Sequence, residues 1–198
     1  MSKTARERGL GWPARIGIAA AALAFGWIVL RSLVIDPVSL PSSSMQPTIE
    51  ADTTAWVRKW RYGPLGRLLG DGGPRRGDVV MFRTSAGLNY VKRVVAVGGD
   101  TVRMEGGRPV LNGTPLVHRA DGTEEVRGLP VERILETLPS GRSYATLDMG
   151  PSVVDDTQEW TVPEGHVFVM GDNRDGSDDS RLSMGFVPVE NVIGDIPG

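Results

Sequence analysis

Between Ile16 and Ile35 the chain reads IGIAAAALAFGWIVLRSLVI, in which Arg31 is the one charged side chain. Wound as a helix, about twenty residues extend roughly 30 Å, the thickness of a bilayer's hydrocarbon core. Lys3, Arg6, Arg8 and Arg15 precede the run and only Glu7 opposes them, a bias that holds an N-terminus in the cytoplasm. Arg31 lies near enough to the far end to snorkel to the interface. The AAALA stretch offers the small residues of a cleaved secretory peptide. The apolar run nevertheless continues through Phe25, Trp27, Ile28, Val29 and Leu30, longer than a signal-peptide core. The expected organisation is therefore a cytoplasmic segment at 1–15, an uncleaved membrane anchor at 16–35, and the chain from Asp36 onward outside the cytoplasm.

That outer part reads as β structure. The chain has 26 Gly and 14 Pro in 198 residues, so turns are frequent and long helices are disfavoured. Strand-like stretches at Ala55–Val57, Asp78–Phe82, Tyr90–Val97, Thr101–Met104, Val110–Asn112 and His166–Met170 are separated by GD, GG, NG and DG pairs. TVRMEGGRPVLNGT, from Thr101 to Thr114, predicts two short strands about a Gly-Gly turn. Only Val131–Leu138 has helical spacing, between Pro130 and Pro139.

Composition removes several kinds of chemistry. With no cysteine, disulfides, thiolate catalysis and Cys-ligated zinc are excluded; two histidines cannot build a multi-histidine metal site. No cofactor or metal is expected. A net charge of -2 gives no general attraction to nucleic acid. WVRKWRYG, Trp56 to Gly63, interleaves aromatic and basic residues. It suits either a strand with one solvated face or a contact with lipid headgroups.

Three stretches carry reactive groups. PSSSMQPT, Pro41 to Thr48, holds three serines between two prolines and reads alone as a linker or as a rigid turn presenting a hydroxyl. His118 and His166 lie in settings that suit structural or surface roles better than that of a base. Lysine is scarce, with Lys3, Lys59 and Lys92 the only three, and Lys92 is embedded in NYVKRVVAV. Alternation puts it on one strand face with Tyr90 and Val94, where lost hydration favours the neutral amine. Either Lys92 is such a base, or it turns outward to a carboxylate. GDNRDGSDDSR, Gly171 to Arg181, fails as a calcium loop because Gly171 and Leu182 fall where Asp and Glu are required. It offers Ser177 and several carboxylates.

Taken in order, PSSSMQPTI (41–49), RRGDVVMF (75–82), YVKRVVAVGGDTV (90–102) and GDNRDGSDDSR followed by GFVP (171–188) resemble the type I signal peptidases, the membrane-anchored Ser–Lys endopeptidases of bacteria. AWVRKWRYG (55–63) matches more loosely. The resemblance implies Ser44 as nucleophile and Lys92 as general base. Ser42 would be an oxyanion donor beside the Ser44 N–H, Ser177 the hydroxyl that orients the lysine, and Asp179 with Arg181 a supporting ion pair. Val38, Leu40, Met45, Ile49, Tyr90 and Val91 would line pockets for small residues.

The implied fold is mainly β. It has an antiparallel β-sheet catalytic core of the signal-peptidase type (36–102 and 166–198), a smaller β-rich insertion (103–165) and one N-terminal transmembrane helix. The implied partners are exported preproteins with Ala or Gly one and three residues before the cut, and membrane lipid; the implied location is the bacterial inner membrane. Competing readings are a specialised peptidase for one conjugation or pilus protein, and an anchored β domain that only binds exported peptides.

Overall fold

The computed structural model describes residues 11–62, 66, 73–126 and 128–197, and only the backbone of 29–34. Lys3, Arg6, Glu7 and Arg8 lie outside the described residues. Helix α1 (Trp12–Val34) is 23 residues long, about 34 Å at 1.5 Å per residue. It leads directly into strand β1 (Ile35–Leu40). Among the described residues no helix is long and apolar enough to cross a membrane. The expected anchor, 16–35, runs on into 29–34, whose side chains lie outside the description.

Beyond α1 the chain forms three antiparallel sheets. Next come β2 (Thr53–Arg58), β3 (Val79–Arg83) and β4 (Asn89–Val97). The strands β5 (Thr101–Glu105), β6 (Arg108–Leu111), β7 (Thr114–Pro115), β8 (Val117–Val126), β9 (Leu129–Thr137), β10 (Ser143–Asp148) and β11 (Trp160–Thr161) follow. Last are β12 (His166–Met170), β13 (Val187–Pro188) and β14 (Val192–Ile196). The main sheet has the order β1-β2-β14-β3-β4-β12-β13; β10-β9-β8 and β11-β5-β6-β7 form two smaller ones.

Local chemistry accounts for these elements. VVMF in β3 and VKRVVA in β4 are buried on both faces, the pattern of central strands rich in β-branched residues. Gly106 and Gly107 turn β5 into β6 with φ of 54° and 73°, the doubly positive pair that a two-residue hairpin needs. Pro37 is tolerated because β1 is an edge strand, bonded to β2 alone.

One sequence expectation is corrected, and one strand forms where none was expected. Val131–Leu138 is not helical; its residues through Thr137 belong to β9, the middle strand of its sheet, hydrogen-bonded to β8 on one side and β10 on the other. Val131, Ile134 and Thr137 are β-branched, and two ladders outweigh a weak helical spacing over eight residues. Residues 192–196, which carry no strand signal in the sequence, form β14 between β2 and β3. Gly194 permits this, because a Cβ there would lie 2.5 Å from the Arg58 carbonyl oxygen.

The smaller sheets are not a separate body. Val95, Ala96, Phe168 and Met170 of the main sheet share one buried cluster with Val102, Met104, Leu111, Leu116, Tyr144 and Val162. Because that core is continuous, the loops joining the sheets are held in place at the site.

Candidate active site

Ser44 lies in a single 3-10 turn, Ser43–Met45, immediately after β1. The turn is capped by Ser42, whose Oγ accepts a hydrogen bond from the Ser44 N–H at 3.2 Å. Met45 packs beneath it against Val57, Val79, Met81, Val91 and Ile196. The turn is therefore anchored by an apolar side chain, while the adjacent serine meets β4.

Lys92 arrives from the middle of β4, directly across the ladder from Val80. Its Nζ is 2.7 Å from Ser44 Oγ. The lysine is 2% exposed. Burial pushes its pKa below the ordinary lysine value of 10.5; Asp179 and Asp178 pull back toward the charged form, and Arg181 opposes them. The outward reading of Lys92, with a surface carboxylate as partner, does not describe this side chain.

The segment 171–181 wraps the far side of the turn. Asn173 donates its backbone N–H to the Ser44 carbonyl at 3.1 Å and its side-chain amide to the Ser43 carbonyl at 3.3 Å. Gly171 has to be glycine, since a Cβ would come within 2.3 Å of Ser177 Oγ and 2.5 Å of the Ser44 carbonyl oxygen. Asp179 receives the Gly171 N–H and two bonds from the Arg181 guanidinium, each 2.9 Å. Those hydrogen bonds and the Arg181 charge hold its pKa low against the burial that would raise it. Ser177 is buried beside the turn, and among the described residues its hydroxyl has no hydrogen-bond partner; it does not bond Lys92.

Val38, Leu40, Met45, Ile49, Tyr90 and Val91, with Met81, line a cleft of about 390 Å³ that ends at Ser44 and Lys92. Ser42, Ser44, Lys92 and the six expected pocket residues thus border one cleft, and Ser177, Asp179 and Arg181 lie in the loop behind it. His118 bonds Glu136 at 2.8 Å, and His166 Nδ1 is 3.1 Å from the Glu164 carbonyl oxygen; neither joins the cleft. In WVRKWRYG, Arg58 pairs with Asp195, Lys59 with Asp36, and Arg61 with Asp78, so its charges are used within the fold.

Sequence reading missed two buried networks that carry the turn. Arg93 holds Asp172 with two bonds of 2.7 and 2.6 Å, and the Thr48 hydroxyl donates to the same carboxylate at 2.5 Å. The Arg93 guanidinium also lies 4.0 Å from the centre of the Tyr144 ring. Arg174 grips Glu136 through bonds of 2.7 and 2.8 Å, and Tyr144 donates to Glu136 at 2.5 Å. Burial favours the neutral acid, but Arg174, His118 and Tyr144 outweigh it and hold Glu136 well below the usual carboxylate range. Arg93 and Arg174 stood next to singled-out residues in the sequence, but nothing in the sequence named their partners.

Comparison with known proteins identifies the family. The family model described as "Signal peptidase, peptidase S26" matches residues 11–197. A protein named signal peptidase I from Pseudomonas aeruginosa is 36% identical over 184 residues, covering 84% of this chain and 65% of that protein. Another of that name, from Rickettsia akari, is 34% identical over 190 residues, covering 84% of this chain and 71% of its own. A crystal structure of a signal peptidase I from Enterococcus faecalis aligns with a TM-score of 0.39 and 27% identity, over 63% of this chain and 97% of that one. The chain thus spans about 65% of the length of the Pseudomonas relative. By the extent of the family match and by these identities, the chain belongs to the signal peptidase family, peptidase S26.

Proposed function

We infer that this chain is a membrane-anchored serine endopeptidase that removes N-terminal signal peptides from exported preproteins. The observation that carries the reading is the 2.7 Å contact of a buried lysine amine with Ser44 Oγ at the end of an apolar cleft. Neutral Lys92 accepts the Ser44 proton as the hydroxyl oxygen attacks the scissile carbonyl. The new C–O bond places negative charge on the carbonyl oxygen, which the Ser44 N–H and the Ser42 hydroxyl receive. In the free chain the Ser44 N–H donates to Ser42 Oγ at 3.2 Å; rotation of the Ser42 side chain frees that N–H and lets both groups donate to the substrate oxygen. Lys92 then passes its proton to the departing amine, leaving an ester on Ser44. A water deprotonated by Lys92 attacks that ester, and Ser44 is restored. Ser177, whose hydroxyl has no hydrogen-bond partner among the described residues, is assigned to orient the Lys92 amine once substrate is bound. Asp179 and Arg181 hold the loop that carries it.

The cleft's shape supports the choice of substrate. β12 pairs with β4 only from Val97 to Arg93 and turns away at Gly171. The Asn89–Lys92 part of β4 is thereby left to pair with an extended peptide. In such a peptide the side chains one and three before the cut point the same way. They meet a cleft of about 390 Å³ already crowded by Leu40, Met45 and Tyr90, which fits Ala or Gly.

The anchor reading rests on the hydropathy of 16–35 and on exposed Ile16, Ile18, Leu23, Phe25, Trp27 and Ile28 along α1. It puts the chain in the bacterial inner membrane with the catalytic part on the outer face, against lipid. The test is preprotein cleavage by wild type, Ser44→Ala and Lys92→Arg in detergent or vesicles. Both variants are expected to lose cleavage; either one cutting at the wild-type rate overturns the assignment.

A further inference from the structure

A second groove, of about 640 Å³, starts at the nucleophile turn and runs into the smaller sheets. Ser43, Asn173 and Gly176 form its inner end; Leu129, Val131 and Met149 supply apolar lining from β9 and the segment after β10. Gly176 also lines the cleft that ends at Ser44, so the two openings adjoin at that residue. Leu129 is 67% exposed and Met149 48%, apolar surface that an occupant of the groove would cover. Glu132 and Asp148 also line it, and they are direct cross-strand partners, a like-charge pair that an incoming cation would relieve.

A peptide attacked by Ser44 extends away from the reacting carbon in two directions. Its acyl half occupies the cleft of Leu40, Met45 and Tyr90, so its leaving half departs on the other side of the turn. We propose that this second groove holds the first residues of the mature chain. It would accept apolar side chains, favour a lysine or arginine among them, and disfavour an acidic residue. The smaller sheets would then contribute substrate recognition on the leaving-group side. The inference rests on the peptidase reading given above.

The experiment uses the full chain in detergent and three peptides sharing one acyl half. The first ends one residue after the cut; the second extends five residues with apolar side chains and a lysine; the third replaces that lysine by glutamate. The lysine peptide is expected to be cut about tenfold more efficiently than the short one, the effect of one or two apolar or polar contacts. Leu129→Asp and Met149→Asp, both at exposed positions, should abolish that advantage through KM and leave the short peptide unchanged. Glu132→Lys should reverse the preference between lysine and glutamate peptides. Equal cutting of short and long peptides by wild type overturns the proposal, as does an equal effect of the variants on both, or an unchanged charge preference. If no peptide is cut in a Ser44-dependent way, the peptidase reading falls and the groove with it. Ser44-dependent cutting without length dependence removes the groove alone.

Discussion

An ammonium at Lys92 is surrounded by β4, Val80 across the ladder and the Ser44 turn, with almost no access to water. Its depressed pKa has two separable consequences. Activity that needs the free amine should rise with pH and level off above a pKa lower than 10.5, the ordinary lysine value. A pH–rate profile limited by an unshifted lysine would contradict this. Stability should move the same way: between the depressed folded value and 10.5 the unfolded chain binds more protons, so stability increases with pH across that window. Lys92→Met should therefore be inactive, lack that slope, and be no less stable than wild type at pH 7, as urea unfolding at pH 7 and pH 10 would reveal. Ser177→Ala removes a buried hydroxyl with no hydrogen-bond partner among the described residues. Its expected cost in stability is within about 1 kcal/mol, because an unsatisfied hydroxyl is itself unfavourable. If its proposed role holds, kcat falls and the pH profile shifts. Gly171→Ala forces a methyl group between Ser177 and the Ser44 carbonyl. If Ser44 is the nucleophile proposed above, a displacement of about 1 Å there should lower kcat about 10²-fold.

At the scale of elements, the segment 171–181 is a strap held to two strands by ion pairs. Arg93 on β4 takes Asp172, and Glu136 on β9 takes Arg174. Glu136→Gln leaves the Arg174 guanidinium buried beside a neutral amide, which should cost about 3–5 kcal/mol. The sign with pH is definite. Glu136 has a depressed folded pKa, so its stabilisation is fully present above its unfolded value of 4.5 and is lost as pH falls through the lower folded value. The variant should unfold earlier at neutral pH and show a flatter acid limb in chemical denaturation. Wild-type behaviour in that variant would show that the strap is held by packing alone. His118 shares the same carboxylate, giving it the structural role that its sequence setting suggested.

At the scale of the whole molecule, the last strand closes the main sheet. β14 bonds β3 and β2, and Asp195 pairs with Arg58. A chain truncated after Asn191 would expose two sheet edges and leave part of Arg58 without its carboxylate; it should show no cooperative unfolding transition by circular dichroism. The β character of the outer part was legible because Val-rich stretches and Gly-Gly or Asn-Gly turns are local signals, and β3 to β6 follow them closely. β14 and β9 were not legible. VIGDI lies between β2 and β3 only because both strands offer it an edge, and VERILET is extended because two neighbours pair with it. The same division runs through the site. Ser44, Lys92 and the loop containing Ser177 stood out by rarity, proline restraint and order along the chain. Their meeting at one cleft, the depressed basicity of Lys92, and the Arg93–Asp172 and Arg174–Glu136 pairs arise from contacts between residues 38 to 130 positions apart. Sequence by itself determined which groups could react and where the chain would turn. Tertiary structure alone decided which groups are dry, which charges are paired, and which strand completes the sheet, because desolvation and pairing depend on neighbours that only folding brings together.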